Sequence, residues 1–142
     1  MEDALFWKDG YSIGIEQIDM EHKIFLDLIR NLKNEIDDGI DDDRLLDLIL
    51  EIEKYAEFHF ISEENFMKKI KFPQFEYHRD LHYNLLEKLN VVKHRKVNPG
   101  DFLKFVIEWF ITHTSKEDKA LEIFCTNNNI KADFKFELLK NG

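Results

Sequence analysis

The chain has 142 residues, 44% of them hydrophobic and 35% charged, with five glycines and two prolines. That composition suits a single helix-rich domain able to bury roughly 70% of its unfolded surface. Acidic residues outnumber basic ones, 29 to 20, and the runs Lys68-Lys69 and Lys93-His94-Arg95-Lys96 are short, which argues against nucleic acid as a partner. The start Met1-Glu2-Asp3-Ala4 lacks a secretory pattern, no stretch approaches the roughly 20 apolar residues of a membrane span, and a lone Cys125 excludes an internal disulfide framework. A cytoplasmic protein without membrane insertion is the expectation.

An aromatic-rich arm over residues 1–18 comes first, where Phe6, Trp7, Tyr11, Ile13 and Ile15 are interrupted by Gly10 and Gly14 and read as too broken for a long helix. Ile18, Phe25, Ile29, Leu32 and Ile36 then recur at three- and four-residue spacing, which predicts a first helix over about 19–38 with Asp19 as its N-cap. A second helix, about 42–69, carries Leu45, Ile49, Ile52, Ala56, Phe60, Phe66 and Met67, and stops before Pro73. The third, about 74–95, carries Phe75, Leu85, Leu89 and Val92 and ends ahead of Asn98-Pro99-Gly100. Pro99 opens the fourth, about 99–117, with Phe102, Val106, Trp109 and Phe110 on its apolar face. A tail helix over about 131–140, with Phe134 and Leu138, follows the Asn127-Asn128-Asn129 break. Long helices with short connections predict an all-α, up-down-up-down antiparallel four-helix bundle, with an extended N-terminal arm and a short C-terminal helix.

Five of the six histidines and two carboxylates fall on these helices in a series: His22, then HxxxE at His59 and Glu63, HxxxH at His78 and His82, and HxxxxD at His113 and Asp118. Imidazole with carboxylate selects iron, zinc or manganese over copper(I) or iron–sulfur chemistry. In an antiparallel hairpin the turn acts as a mirror, because both helices rise by about 1.5 Å per residue. Reflection through turns centred near residues 40, 71 and 97 brings His22 beside His59, His59 and Glu63 beside His82 and His78, and those beside His113. Each lies on the inward stripe of its helix, so Glu63 is predicted to be buried, at a cost that a cation would offset. Asp118 fits less well: five residues at about 100° each put it about 140° from His113 on an ideal helix. The fourth helix is therefore expected to bend or loosen between Thr114 and Glu117. His94 lies off the inward stripe and is expected at the surface.

At these motifs the chain resembles the bacterial hemerythrins, non-haem di-iron oxygen-binding proteins. The segment Ile18-Asp19-Met20-Glu21-His22-Lys23 is similar to the family's opening signature, and HxxxE, HxxxH and HxxxxD follow in the family's order. The resemblance implies two iron ions per chain, cycling between ferrous and ferric. One would take His78, His82 and His113, and the other His22 and His59. Glu63 and Asp118, with an oxo or hydroxo group, would bridge them. It further implies reversible dioxygen binding for storage or delivery, with no catalytic turnover required, and Phe25, Phe60, Trp109 and Ile111 as walls of the dioxygen pocket. Two imidazoles plus shared bridges leave the second iron short of six ligands, which is where a small ligand would bind. The alternatives weighed are a di-iron peroxidase or oxidase and a sensor of oxygen, nitric oxide or redox state. No histidine has Glu three residues before it, which argues against ferritin-like oxidases, and the HExxH of metalloproteases is absent.

Overall fold

In the computed structural model, which describes residues 2–130, two 3-10 turns (Glu2–Leu5 and Asp9–Tyr11) lead into five α-helices. These are α1 (Glu16–Asp37), α2 (Asp42–Lys69), α3 (Phe75–Val92), α4 (Pro99–Thr112) and α5 (Asp118–Asn127), and a π-helical turn over His113–Glu117 joins α4 to α5. Helix α1 packs on α2 and α4, and α2 packs on α3. The expected tail helix over about 131–140 lies outside the described residues. Among the described residues no helix is long and apolar enough to cross a membrane.

The turns carry their own chemistry. Gly39 closes α1 with φ at 88°, a left-handed conformation that costs glycine nothing, and its N–H reaches the Ile36 carbonyl. Asp41 then caps α2 by accepting from the Arg44 N–H at 2.7 Å. At the far end of α2 the chain reverses through Lys71, with φ at 57°, and the Phe72 N–H bonds the Met67 carbonyl five residues back, as in a Schellman motif. Asn98 caps α4 ahead of Pro99.

Cross-helix contacts give the register. Gln17 meets Ser62 and Glu21 meets His59, pairs whose residue numbers average about 40. Between α2 and α3, Glu64 meets His82 and Glu53 meets Lys93, so these helices also run antiparallel. Two apolar clusters fill the interior. The larger holds Phe25, Leu26, Ile29 and Leu32 with Ile49, Ile52, Phe60, Leu89, Val106 and Phe110. The smaller joins Ile13, Ile15 and Ile18 of the arm and α1 to Phe66, Met67, Phe72, Leu121 and Cys125. The histidines and carboxylates of the sequence series fall between the two clusters.

Helix α1 begins three residues earlier than the sequence predicts, and Asp19 is not its cap. Ile15 occupies that position without a side-chain hydrogen bond. The Asp19 carboxylate instead reaches back to the arm, accepting from the Ser12 hydroxyl at 2.6 Å and the Ile13 N–H at 2.9 Å. An acidic side chain in the first turn also suits the helix dipole. Asp19→Ala should therefore cost about 1–3 kcal/mol of unfolding free energy in urea while leaving cation content unchanged; an unaltered midpoint would show that the arm is held by packing alone.

Candidate metal centre

Every member of the histidine and carboxylate series is buried: His22, His59, His82, His113, Glu63, His78 and Asp118 all have 3% or less of their surface exposed. Helix α1 supplies His22, α2 supplies His59 and Glu63, α3 supplies His78 and His82, and the π-helical turn with the start of α5 supplies His113 and Asp118. His94, by contrast, is exposed, as its position off the stripe predicts.

The π-helical turn resolves the placement of Asp118. Its N–H bonds the His113 carbonyl five residues back, so His113 and Asp118 stack on one face where an ideal α-helix would splay them. The Thr114 hydroxyl donates to the Phe110 carbonyl at 2.8 Å, the kind of side-chain bond to a helix carbonyl that accompanies local loosening.

The two carboxylates each face two ways. Glu63 Oε2 lies 3.5 Å from His59 Nε2 and 4.0 Å from His22 Nε2, while its Oε1 lies 3.2 Å from His82 Nε2 and 3.8 Å from His113 Nε2. Asp118 Oδ2 lies 3.1 Å from both His22 Nε2 and His113 Nε2, and its Oδ1 lies 4.0 Å from His78 Nδ1. The Nε2 atoms of His22 and His59 approach to 3.1 Å. Donor atoms of His22, His59, Glu63, His113 and Asp118 fall within 4.8 Å of one another, and a second group joins Glu63 to His78 and His82. His113 thus sits with His22 and His59 by distance, while also facing the Glu63 oxygen that meets His82.

Most of these atoms have no hydrogen-bond partner: both oxygens of Glu63 and of Asp118, both nitrogens of His78, and Nε2 of His82 and His113. A buried polar atom left unpaired costs about 1–3 kcal/mol, and native interiors hold few of them. So many in one layer fit a set of donors built for cations. Burial lowers the pKa of His22, His59, His78 and, most of all, His113, which keeps these rings neutral with a lone pair to give. Burial also opposes charge on His82, but the facing carboxylates of Glu63 and Glu64 outweigh it and lift the pKa to about 9. Burial raises Asp118 to about 7.

Both shifts are upward, so a metal-free chain near neutral pH is expected to carry protons at His82 and Asp118 that a bound cation would displace. Cation uptake at pH 7 should release protons, and affinity should rise with pH between 6 and 9. Calorimetric titration in two buffers of different ionisation heat measures this; uptake without proton release would contradict it.

The model of the hemerythrin HHE cation-binding domain matches residues 13–122, a span that contains all seven donors. The chain belongs to the hemerythrin family. It is 29% identical over 124 residues to a bacteriohemerythrin of Clostridium acetobutylicum, covering 80% of this chain and 95% of that one. It is 30% identical over 112 residues to hemerythrin subunit alpha of Lingula anatina, covering 79% and 87%, and 28% identical over 112 residues to a myohemerythrin of Theromyzon tessulatum, covering 79% and 86%.

In this hemerythrin, aromatic rings pack directly on the imidazoles. Phe60 stacks on His82 with centroids 4.0 Å apart and planes 4° apart, and Trp109 stacks on His113 at 4.5 Å and 15°. Phe25 packs against Trp109 and Phe110. Ile111 is part-buried against the larger apolar cluster. Phe110, read from sequence as ordinary core, meets the His22 ring edge-on at 5.9 Å. Glu21 and Glu64, which the motif spacing does not single out, hydrogen-bond the Nδ1 atoms of His59 and His82, and Gln17 and Ser62, also not singled out, bond Glu21. Helical spacing offered a signal for Glu21, since it lies three residues after Ile18 and four before Phe25 on the inward stripe.

Proposed function

We propose that this protein binds dioxygen reversibly at a non-haem di-iron centre, for oxygen storage or delivery, and that His22, His59, Glu63, His78, His82, His113 and Asp118 are the iron ligands. The observation that carries this reading is the pair of fully buried carboxylates: Glu63 has one oxygen toward His59 and His22 and the other toward His82 and His113, and one oxygen of Asp118 lies 3.1 Å from both His22 Nε2 and His113 Nε2. A carboxylate in that posture suits a bridge between two cations. Glu63 and Asp118 would be the bridges. His78 and His82 would hold one iron and His22 and His59 the other, with His113 assigned to the first as the family pattern implies. Its Nε2, 3.8 Å from the Glu63 oxygen that faces His82, is compatible with that assignment.

The iron pair, when bound, supplies the redox chemistry of reversible dioxygen binding. The chain's own residues would do the rest. Five imidazoles and two carboxylates do not saturate two six-coordinate ions, so the ion held by two imidazoles keeps a position for a small ligand. Phe25, Phe60, Trp109 and Phe110 surround the donors with apolar surface, which excludes water and limits the proton supply that would turn binding into irreversible oxidation. Phe25, Phe60 and Trp109 would serve as pocket walls, with Ile111 of α4 part-buried against the same apolar cluster.

An oxygen electrode tests the reading. The anaerobic ferrous protein should take up dioxygen in proportion to its iron pairs and return it on purging with argon. Continued consumption with release of hydrogen peroxide would identify an oxidase and overturn the carrier function.

A further inference from the structure

Behind His59 lies a hydrogen-bonded group that no ligand role requires. Glu21 is only 2% exposed, Gln17 2% and Ser62 3%, so all three are core residues. Glu21 Oε1 accepts from His59 Nδ1 at 2.7 Å. Its Oε2 accepts from Gln17 Nε2 at 2.9 Å and from the Ser62 hydroxyl at 2.7 Å, and Gln17 Nε2 also lies 2.6 Å from Ser62 Oγ. The Tyr55 hydroxyl donates to the Glu21 backbone carbonyl at 2.6 Å. A carboxylate buried this deeply costs several kcal/mol unless every lone pair is used, and here both oxygens are bonded on two helices at once.

We infer that Glu21 is a positioning residue for His59: it holds the proton on Nδ1 and the Nε2 lone pair toward Glu63 and His22, and so sets the metal affinity of the His22 and His59 position selectively. The inference rests on the ligand assignment proposed above. An imidazole has two tautomers, and the acceptor behind one nitrogen decides which nitrogen faces a metal. A carboxylate acceptor also makes the ring a stronger donor than a neutral acceptor would. His82 has its own carboxylate, Glu64, at 2.8 Å from Nδ1, but Glu64 is 18% exposed and in reach of water. His22 Nδ1 and both His78 nitrogens have no partner. One imidazole of each pair is thus backed by a carboxylate, and the one on the His22 side is the dry, anchored one.

The test uses zinc, which has no redox chemistry, on the full chain. Zinc affinity at the two positions is read by chelator competition, and the His59 Nδ1 proton by 1H–15N NMR. Glu21→Gln keeps the volume and one acceptor, so the fold is retained. It should weaken one of the two zinc positions by about 10- to 100-fold and leave the other unchanged. Ser62→Ala should move the same position less, and Glu64→Gln should weaken the other position. In Glu21→Ala the downfield His59 Nδ1 proton signal should vanish. Two unchanged zinc positions in Glu21→Gln, or equal weakening of both, would overturn the inference. His59→Ala separates it from the reading beneath it: a His59→Ala chain that still binds two zinc ions at full affinity would overturn the ligand assignment itself.

Discussion

Glu63→Ala is expected to strip cation from both positions at once. Glu63 is the residue whose two oxygens lie between the two sets of imidazoles, 3.5 Å from His59 on one side and 3.2 Å from His82 on the other. Removing a terminal ligand such as His78 would empty one position first. Removing a bridge lowers the affinity of both and also withdraws the negative charge that lets two cations sit close together. The loss should exceed the 10- to 100-fold typical of residues one bond removed from a metal, and iron per chain after desalting should fall to near zero. Glu51→Ala, an exposed change on the same helix, should leave iron content unaltered. Circular dichroism separates metal loss from unfolding. Retention of iron by a folded Glu63→Ala chain would show that Glu63 does not bridge.

Metal removal should cost this protein a large share of its stability. Without a cation the core keeps two carboxylates and five imidazole nitrogen atoms that have no hydrogen-bond partner, all between two apolar clusters. Each such atom costs about 1–3 kcal/mol, and a cation removes those costs together. A ligand at 1,000 times its dissociation constant stabilises by about 4 kcal/mol, and 1 kcal/mol shifts the midpoint of a domain near this size by about 2–4 °C. Thermal unfolding of iron-loaded and chelator-treated protein should therefore differ by at least about 8 °C. Equal midpoints would mean that the buried donors are satisfied without a cation.

Much of the site could be read from spacing, because antiparallel helices of equal rise convert sequence offsets into heights. The turn near residue 40 places Glu21 against His59 and Gln17 against Ser62 as reflection requires. The one offset that an α-helix could not accommodate, His113 to Asp118, coincides with the one π-helical turn among the described residues. A misfit to ideal geometry was informative there. Other features were hidden for physical reasons. Asp19 has the chemistry of an N-cap, but Gly14, with φ at 72°, turns the chain so that its carboxylate meets Ser12 and Ile13 of the arm. Two side-chain partners of Glu21, His59 and Ser62, lie 38 and 41 residues away on α2, and no local pattern distinguishes Ser62 as one of them. Phe110 and Trp109 both belong to an apolar stripe, and only packing decides that one meets His22 edge-on and the other stacks on His113.

The most direct test of a reversible dioxygen site is optical. Protein purified with iron, reduced without air and then exposed to oxygen should develop a visible charge-transfer band. That band should disappear when oxygen is withdrawn and return through repeated cycles. A spectrum that passes once to the oxidised form and stays there when the gas is removed would contradict the account.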